Sequence, residues 1–403
     1  MTTDVPDVLE TFEEASHCLA SVRDIIDERS TGQAPPTWCV RRGFTDFLRA
    51  LPDGALVALE RDGLGAHVVG RTDAPASLVQ LAHDVARLTK LPRAREVSAH
   101  EVHERRASPR KRVQVAAFAA LVGGLATTAS RIVDLGSGHG HLTRHLAHAL
   151  GVPAEGWERD PARAEVARSL VSDGRARFVV ADVRDLGAKL TSHDLVVGLH
   201  ACGELGDLAI KGAIAARAAV ALVACCPQKC TGPRFPLSVA RGLSVDALTL
   251  PHAALGLGNV RDGDTRVETD WAACVEARVR RMALRNTFVA AGHPMDRGEE
   301  MRGLNRRRAA DPLHELVARA FVLRGLPLPS RALIEDSETK ALEDHRLARR
   351  WELPRTMLAR LVEVWIAFDR AALLRKNGYT VEVREVFSSA TSPRNVAVLG
   401  KAE

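Results

Sequence analysis

Apolar residues follow two alternating periodicities across the middle of the chain. Short apolar runs bounded by polar and turn-forming residues predict β-strands at 132–135, 154–158, 176–181, 194–200 and 219–225. Between them, apolar positions spaced three and four residues apart predict helices at 142–150, 161–170 and 205–216. Because strands that alternate with helices of about ten residues form parallel sheets with crossovers, the pattern predicts a doubly wound α/β fold.

The pattern changes after residue 235. Residues 236–375 are rich in arginine, and their apolar spacing predicts helices at 269–288, 312–323, 335–351 and 354–374. Two later runs, at 380–386 and 395–399, predict strands joined by a turn that contains Ser392 and Pro393. Two late strands would complete the same sheet. We therefore expect a mostly parallel seven-stranded sheet, with residues 236–375 as a helical insertion and residues 376–403 as the last two strands.

The first hundred residues predict a separate module. Helical periodicity covers 7–28 and 78–88, whereas the short apolar runs 55–59 and 66–69 flank Arg61-Asp62-Gly63, which predicts a hairpin. A charged, proline-bearing stretch at 93–112 then marks a boundary. We expect a small N-terminal α/β accessory region at residues 1–104 and a core domain at residues 105–235.

Composition narrows the class of protein. The chain has 403 residues, of which 46% are hydrophobic. It contains no run of about 18 or more apolar residues that could cross a bilayer. The acidic N-terminus lacks the basic segment and apolar core of a secretory signal, and seven cysteines are too few for a disulfide scaffold. We expect a cytoplasmic protein with reduced thiols and no membrane partner.

A glycine-rich loop follows the first strand of the predicted sheet. It reads Asp134-Leu135-Gly136-Ser137-Gly138-His139-Gly140-His141-Leu142 and leads from a strand into a helix. Glycines permit a sharp turn and close approach of a ligand, and the helix start offers free N–H groups. A Walker loop would require Gly-Lys-Ser/Thr, and a dinucleotide loop would require glycine at His141. The spacing D-x-G-x-G-x-G instead fits S-adenosylmethionine, which has an ammonium group for Asp134 and no phosphate.

Acidic residues close the next two strands. Glu158 lies 20 residues beyond Gly138, where an acid accepts hydrogen bonds from ribose hydroxyls. Asp182 follows the third strand and could accept from the adenine amino group, with Val183 against the ring. Each acid alone could equally be a helix cap or a solvated strand end. Three acids at successive strand ends beside the loop favour a nucleoside cofactor.

These motifs resemble a class I methyltransferase-domain family. The matching segments are Ser108-Pro109-Arg110-Lys111-Arg112-Val113-Gln114-Val115, the glycine loop, Gly156-Trp157-Glu158-Arg159-Asp160-Pro161, Leu199-His200-Ala201-Cys202-Gly203-Glu204-Leu205-Gly206-Asp207, Val223-Ala224-Cys225-Cys226 and Ser392-Pro393-Arg394-Asn395. The family includes methyltransferase-like proteins once described as rRNA adenine dimethylase domain-containing, and the glutathione-S-transferase C-terminal domain-containing protein. More distantly, the chain is similar to acceptor-stem tRNA 2′-O-methyltransferases, which carry histidines where this chain has Pro227-Gln228.

The resemblance implies a Rossmann-like class I methyltransferase fold and S-adenosyl-L-methionine as cofactor. It places Lys111 and Gln114 near the methionine end of that cofactor, whereas the simplest alternative for this segment is a solvated basic helix start. The residues predicted to bind the cofactor are Lys111, Gln114, Asp134, Gly136, Ser137, Gly138, Gly140, Leu142, Glu158, Arg159, Asp182, Val183 and His200.

The acceptor is expected near the carboxyl ends of the later strands, where ligands bind in doubly wound sheets. The predicted catalytic residues are His200, as a general base, and Cys202, as a nucleophile or simply a packing residue. Zinc could be held by His200, Cys202, Cys226 and Cys230. However, the chain has no C-x-x-C pair, and adjacent Cys225 and Cys226 on a strand would point to opposite faces. No metal is therefore predicted.

The charge of the chain bears on the acceptor. A formal charge of +6 permits a nucleic-acid partner, although arginine-rich composition alone could account for it. The densest basic run, at 302–308, could follow a phosphate backbone or form a solvated face. The sequence thus predicts an S-adenosylmethionine-dependent methyltransferase acting on RNA, either tRNA or rRNA. The alternatives are a protein or small-molecule methyltransferase and a non-catalytic binding module.

Overall fold

The computed structural model describes residues 7–94, 107–171, 174–184, 189–239, 248–259 and 268–403. The strands are β1 (Arg131–Leu135), β2 (Ala154–Glu158), β3 (Ala176–Val180), β4 (Asp194–Ala201), β5 (Ala219–Ala224), β6 (Tyr379–Glu385) and β7 (Val396–Ala402). The helices are α1 (Val8–Ser21), α2 (Arg23–Asp27), α3 (Thr37–Arg41), α4 (Thr45–Ala50), α5 (Leu56–Asp62), α6 (Leu64–Val68), α7 (Ala76–Leu88), α8 (Pro109–Ala126), α9 (His141–Leu150), α10 (Pro161–Ser169), α11 (Glu204–Ala216), α12 (His252–Leu255), α13 (Glu268–Ala290), α14 (Leu313–Leu323), α15 (Arg331–Met357) and α16 (Ala359–Lys376). None of the helices in these ranges is long and apolar enough to cross a bilayer.

All seven strands form one sheet, in the order β3-β2-β1-β4-β5-β7-β6. Strands β1 to β5 are parallel, whereas β7 runs antiparallel to both β5 and β6. The mostly parallel seven-stranded α/β fold predicted from the sequence is therefore confirmed. Because β7 runs in the opposite direction, its first residue lies at the edge where β1 to β5 end. We call this edge, which also carries the β6–β7 connection, the carboxyl edge.

Apolar side chains between the sheet and its helices form the core that positions this edge. Phe118 of α8 and Leu146 of α9 are fully buried in one cluster with Ile132 of β1 and Phe178 of β3. Full burial of side chains of this size stabilises the fold by about 1.5–3 kcal/mol each. The core therefore holds the strand ends, and the loops between them, in fixed positions.

The N-terminal helix packs on α16 and belongs to the same compact unit as the sheet. The rings of Phe12 and Trp365 stack with centroids 6.2 Å apart, and Trp365 Nε1 donates a hydrogen bond to Ser16 Oγ at 2.9 Å. The unit consists of Met1–Asp27, Leu81–Gly263 and Thr356–Glu403. It thus includes parts of both the predicted accessory region and the predicted insertion.

The second compact unit combines Glu28–Gln80 with Asp264–Arg355. Its own core contains Phe288 and Phe321, whose rings stack 4.4 Å apart. Arg349 Nη2 also donates to Glu60 Oε2 at 2.7 Å, joining the two chain segments of this unit. These compact units differ from the predicted domains, because residues distant in sequence share one core.

The predicted N-terminal hairpin, and with it the predicted α/β character of that region, is wrong. Residues 55–59 and 66–69 fall largely in the short helices α5 and α6, and the described residues 7–94 form helices and loops, with one isolated bridge to Glu385. Gly63 has a φ of 88° and ends α5 instead of turning a hairpin. Leu56 and Leu59 of α5 are buried three residues apart, a helical spacing that a short apolar run also permits.

The predicted break before Pro354 is also wrong. Helix α15 continues through Pro354 and ends at Met357, and the next helix begins at Ala359. Proline removes one helical hydrogen bond, but Trp351, Leu353 and Met357 on either side of it are buried. Burial of these side chains outweighs the local loss, so packing rather than proline sets the end of the helix.

Candidate active site

The glycine loop turns sharply between β1 and α9. Gly136, Gly138 and Gly140 have φ values of 70°, 55° and 74°, which side chains other than glycine rarely adopt. The Gly136 N–H donates to the carbonyl oxygen of Trp157 in β2 at 2.8 Å, which ties the loop to the neighbouring strand. The predicted strand–loop–helix arrangement is present at this position.

The loop has one packed side and one open side. A Cβ atom at Gly140 would lie 2.2 Å from Phe178 Cζ, so the close approach to β3 requires glycine there. A Cβ atom at Gly138 would have no heavy atom of the described residues within 4 Å beyond its chain neighbours. The buried Ser137 Oγ also has no hydrogen-bond partner among the described residues. The loop therefore offers space and unused hydrogen-bonding capacity.

Asp134 is a buried acid next to this loop. It is 2% exposed, and its Oδ2 accepts a hydrogen bond from Thr143 Oγ1 at 2.6 Å. Burial raises the pKa of Asp134 from its ordinary value of 3.8 to about 6, while Thr143 and Lys111 act in the opposite direction. A buried carboxylate that is only partly compensated favours a positively charged ligand.

Glu158, at the end of β2, is hydrogen-bonded to the open side of the loop. Its Oε2 accepts from the Gly138 N–H and its Oε1 accepts from the Asp160 N–H, both at 2.9 Å. Each carboxylate oxygen can accept a second hydrogen bond. Glu158 is therefore both a structural support for Gly138 and a candidate acceptor for ligand hydroxyls.

The remaining predicted adenine-side residues are more exposed. Asp182 follows β3, is half-buried, and accepts from the Arg184 N–H at 3.0 Å. Val183 is half-buried beside it, and Arg159 after β2 is exposed. These residues lie at the carboxyl edge, but the structure shows no contact among them that identifies a ligand.

His200 lies in an irregular part of β4. Its φ of 70° is unusual for a residue other than glycine, and the pairing register with β5 shifts between Leu199 and Ala201. Such bulges redirect side chains near active sites. The His200 Nε2 lies 3.1 Å from Oε1 of the buried Gln114, so the structure places Gln114 against His200. Burial lowers the pKa of His200, with Lys111 and Arg110 acting in the same direction. The imidazole is therefore neutral at pH 7.

The thiol of Cys202, two residues after His200, lies close to the thiols of Cys225 and Cys226. This is contrary to the expectation that Cys225 and Cys226 point apart. Strand β5 ends at Ala224, so the strict alternation of a strand no longer applies to the next two residues. The Sγ atoms of Cys202 and Cys225 are 2.7 Å apart, and those of Cys202, Cys225 and Cys226 all lie within 4.8 Å of one another. The hydrogen bond from Cys225 lowers the pKa of Cys202 to about 6, although burial opposes this. We call these three residues the thiol cluster.

Gly203 allows the two loops that carry the thiol cluster to approach. It has a φ of 57°, and its N–H donates to the carbonyl oxygen of Cys226 at 3.0 Å. A Cβ atom at Gly203 would lie 2.7 Å from the carbonyl carbon of Lys229. Gly203 lies within one of the matched motifs, but its role depends on this close approach between two loops that are distant in sequence.

A buried ionic network supports the same loops. Arg234 donates to Asp207 at 2.7 Å and to Asp369 at 2.9 Å, and Arg370 donates to Asp207 at 2.9 Å. Burial alone would raise the pKa of Asp207, but Arg370 and Arg234 outweigh it and lower that pKa. Asp207 therefore serves this network in the structure. The sequence did not reveal its partners, which lie up to 163 residues away.

The β6–β7 connection also lies at the carboxyl edge. Within it, Asn395 Nδ2 donates to the carbonyl oxygen of Phe387 at 2.7 Å. Arg394 Nη1 lies 3.9 Å from Oε2 of Glu363 on α16, whose buried Oε1 has no partner among the described residues. Nearby, Cys226 and Glu363 are among the residues that line a narrow cavity of about 20 Å³. Glu363 was missed by the sequence analysis because an acid in a helical pattern reads as solvent-exposed.

Residues 110–232 match the family model described as a methyltransferase domain. Solved structures to which the chain is similar include a TehB-like SAM-dependent methyltransferase from Corynebacterium glutamicum, which is 22% identical, with 26% of this chain and 60% of that chain covered and a TM-score of 0.23. TrmN from Thermus thermophilus is 27% identical, with coverages of 26% and 36% and a TM-score of 0.23. Magnesium protoporphyrin IX methyltransferase from Synechocystis, solved with bound SAH, is 22% identical, with coverages of 28% and 56% and a TM-score of 0.23.

The chain spans less than two thirds of the length of these structures. The family match is independent of them and covers the segment from the start of α8 to the residues after the thiol cluster. It includes β1 to β5, the glycine loop, Glu158, Asp182 and His200. Residues 110–232 therefore form a class I methyltransferase domain, as the motifs predicted.

Proposed function

We propose that the whole chain is an S-adenosylmethionine-dependent methyltransferase whose acceptor is an RNA. The proposed use of S-adenosylmethionine rests on one observation, which is the open side of the glycine loop between two acids. Gly138 has free space beyond its Cα atom, Glu158 is hydrogen-bonded to its N–H, and Asp134 is buried at the end of β1. Together with the methyltransferase-domain match, this arrangement suits a cationic nucleoside.

The residues around the loop fit this cofactor better than a phosphorylated one. Glu158 acts electrostatically on the buried Asp134, and a phosphate placed between the two carboxylates would be repelled by both. An ammonium group would instead compensate the buried Asp134 carboxylate. The free accepting positions of Glu158 suit ribose hydroxyls, and Asp182 with Val183 remains the candidate pair for adenine. The bound cofactor would supply a methyl group on a positively charged sulfur.

His200 and Gln114 are the proposed residues of the acceptor side. The Gln114 Oε1 accepts from His200 Nε2, which leaves Nδ1 of the neutral ring able to accept a proton. The described residues provide no partner for Nδ1. We propose that His200 takes the proton from the acceptor atom, and that Gln114 fixes the tautomer and orientation of the ring. Alignment of acceptor and methyl group would supply much of the remaining acceleration.

Positive charge beside His200 supports an RNA acceptor. Arg110 and Lys111, at the exposed start of α8, both lower the pKa of His200 and therefore act at close range. The resemblance to RNA-modifying families points the same way. The run at 302–308 adds little support, because Arg308 already pairs with Asp311 at 3.2 Å. We therefore propose that phosphate groups of the RNA bind near the start of α8.

Transfer of tritium from labelled cofactor tests this proposal. The purified chain is incubated with cell lysate, and the label is followed after RNase or protease treatment. We expect label in macromolecules that RNase releases and protease does not. Exchange of Arg110 and Lys111 for glutamine should reduce labelling more at 50 mM than at 200 mM salt, because each lost phosphate contact makes RNA binding less dependent on salt.

Other outcomes separate the alternatives. Label that resists RNase and is released by protease would reject the RNA acceptor in favour of a protein. Label that passes an ultrafilter before any digestion would indicate a small-molecule acceptor. Cofactor binding without transfer to any fraction would contradict the catalytic proposal and favour a binding module.

A further inference from the structure

We propose that Cys202, Cys225 and Cys226 form a metal site that binds one zinc ion through three thiolate sulfurs. The site is independent of the methyl donor, because it includes none of the residues proposed to bind that cofactor. It also differs from the possible zinc ligands named from the sequence, which were His200, Cys202, Cys226 and Cys230, since Cys230 lies outside the cluster. The chemical class of the ligand follows from the donor atoms, which are all sulfur.

The separations within the thiol cluster suit such an ion. All three Sγ atoms lie within 4.8 Å of one another, and the closest pair is 2.7 Å apart. Zinc–sulfur bonds of about 2.3 Å in tetrahedral geometry place sulfurs about 3.8 Å apart. The sulfurs of the closest pair would move apart by about 1 Å to reach this value, while the other separations are already no longer than 4.8 Å.

The backbone holds the cluster together without help from a metal. The Gly203 N–H donates to the carbonyl oxygen of Cys226, and the Lys229 N–H donates to the same oxygen at 3.1 Å. The first bond joins the loop after β4, which carries Cys202, to the loop after β5, which carries the other two thiols, and the second closes a turn within the latter loop. Because both loops are fixed, little conformational entropy is lost when an ion binds.

The donor set and the local charge select a soft cation. Sulfur ligands favour zinc or copper(I) over magnesium and calcium, which prefer oxygen. Three thiolates and one Zn²⁺ carry a net charge of −1, and the neighbouring Lys229 cation, which acts electrostatically on Cys202, would offset it. We therefore expect zinc as the resident ion.

The fourth coordination position would be open. Among the described residues, no further cysteine, histidine or carboxylate belongs to the cluster. Cys225 and Cys226 line the cavity of about 20 Å³, which is large enough to hold a water molecule. Zinc sites with three protein ligands keep their fourth position for water or substrate. The ion would thus be bound by Cys202, which follows His200 by two residues in the sequence. Its fourth coordination position could be occupied by an acceptor atom.

Cobalt binding tests the site directly, because cobalt(II) replaces zinc and shows thiolate charge-transfer and tetrahedral absorption bands. The full chain is stripped with a chelator, reduced, and titrated with cobalt(II) without oxygen. We expect one cobalt per chain, displaced by one zinc. Cys225→Ser and Cys226→Ser should each weaken cobalt binding at least about tenfold. Cys230→Ser is the matched control, since this thiol lines the same cavity and should bind cobalt within about twofold of the unaltered chain.

A second measurement uses the unaltered chain, so it does not depend on whether the variants fold. Zinc should slow alkylation of all three thiols of the cluster and leave the rate at Cys230 unchanged, as read by mass spectrometry. No cobalt–thiolate absorption would overturn the proposal. So would equal zinc protection at Cys230, or a Cys202–Cys225 disulfide that persists in the glutathione-reduced protein. None of these results bears on cofactor binding, so the two proposals fail separately.

Discussion

Replacing Asp134 by asparagine should stabilise the ligand-free protein and weaken cofactor binding. Asparagine has nearly the same shape, and its oxygen can still accept the hydrogen bond from Thr143 Oγ1. The exchange therefore removes the buried charge and keeps the packing. If a residue is retained for binding rather than for stability, its replacement should raise the stability of the fold and lower the affinity for the ligand.

The magnitude follows from the pKa of Asp134, which burial raises from 3.8 to about 6. One pKa unit corresponds to about 1.4 kcal/mol, so the ionised carboxylate costs the folded state about 3 kcal/mol at pH 7. The folded pKa is raised, so the cost is absent below pH 4, grows as the pH rises, and is complete above about pH 6. Loss of a buried partner for an ammonium group costs about 2 kcal/mol or more, which is at least about thirtyfold in Kd.

Chemical denaturation at pH 4.5 and pH 7.5, with calorimetry at pH 7.5, measures both effects. The stability gain of Asp134→Asn should be about 3 kcal/mol at pH 7.5 and should shrink by at least half at pH 4.5. Cofactor affinity should fall at least about thirtyfold. A variant that is less stable than the unaltered chain at pH 7.5 would refute the argument about the buried charge. Unchanged cofactor affinity would refute the role of Asp134 in the site.

Three further predictions concern the carboxyl edge and its supports. His200→Asn should keep cofactor binding, since asparagine tolerates a positive φ, and should slow methyl transfer by about 10²–10⁴-fold in single-turnover assays. Gly203→Ala should destabilise the fold by about 1–3 kcal/mol in denaturant titrations, because its φ is 57° and its Cβ would meet the Lys229 backbone. Asp369→Ala should cost about 3–5 kcal/mol in the same assay, because it leaves Arg234 buried with one fewer charge partner.

Matched variants separate these effects from general disturbance. Gly232→Ala lies in the segment after the thiol cluster, where a Cβ atom would meet no heavy atom of the described residues within 4 Å beyond its chain neighbours, and it should change stability little. Glu335→Ala removes an exposed ion pair with Arg331 and should have no measurable effect. If either control matched its partner variant, the special geometry of Gly203 or the buried network would lose its support. A rate for His200→Asn within threefold of normal would exclude a general base at this position.

The sheet could be predicted because the local sequence pattern and the tertiary packing favour the same strands. Strands β1, β4 and β5 are short and mostly apolar runs, and the glycine loop has three positions at which φ is positive. The prediction of an N-terminal hairpin was wrong because an apolar run of five residues fits one helical turn as well as a strand. Gly63 then supports either a turn or a helix end, and only tertiary packing distinguishes the two.

The acceptor side was less predictable because its geometry comes from distant segments. Gln114 and His200 are 86 residues apart and meet through a bulge in β4. The thiols of Cys202 and Cys225 meet because β5 ends one residue earlier than the apolar run suggests. Register shifts and strand ends of this kind depend on the partner strand, so a single sequence carries little information about them.

Calorimetry on a pair of glycine variants tests the central claim most directly. Gly138 and Gly151 both have a positive φ and open space at the Cβ position, but only Gly138 faces the proposed cofactor site. Leucine at either position should therefore disturb the fold equally. We predict that the unaltered chain and Gly151→Leu bind one S-adenosylmethionine in the micromolar range and do not bind NAD, whereas Gly138→Leu binds neither. Equal binding of S-adenosylmethionine by Gly138→Leu and Gly151→Leu would contradict the account.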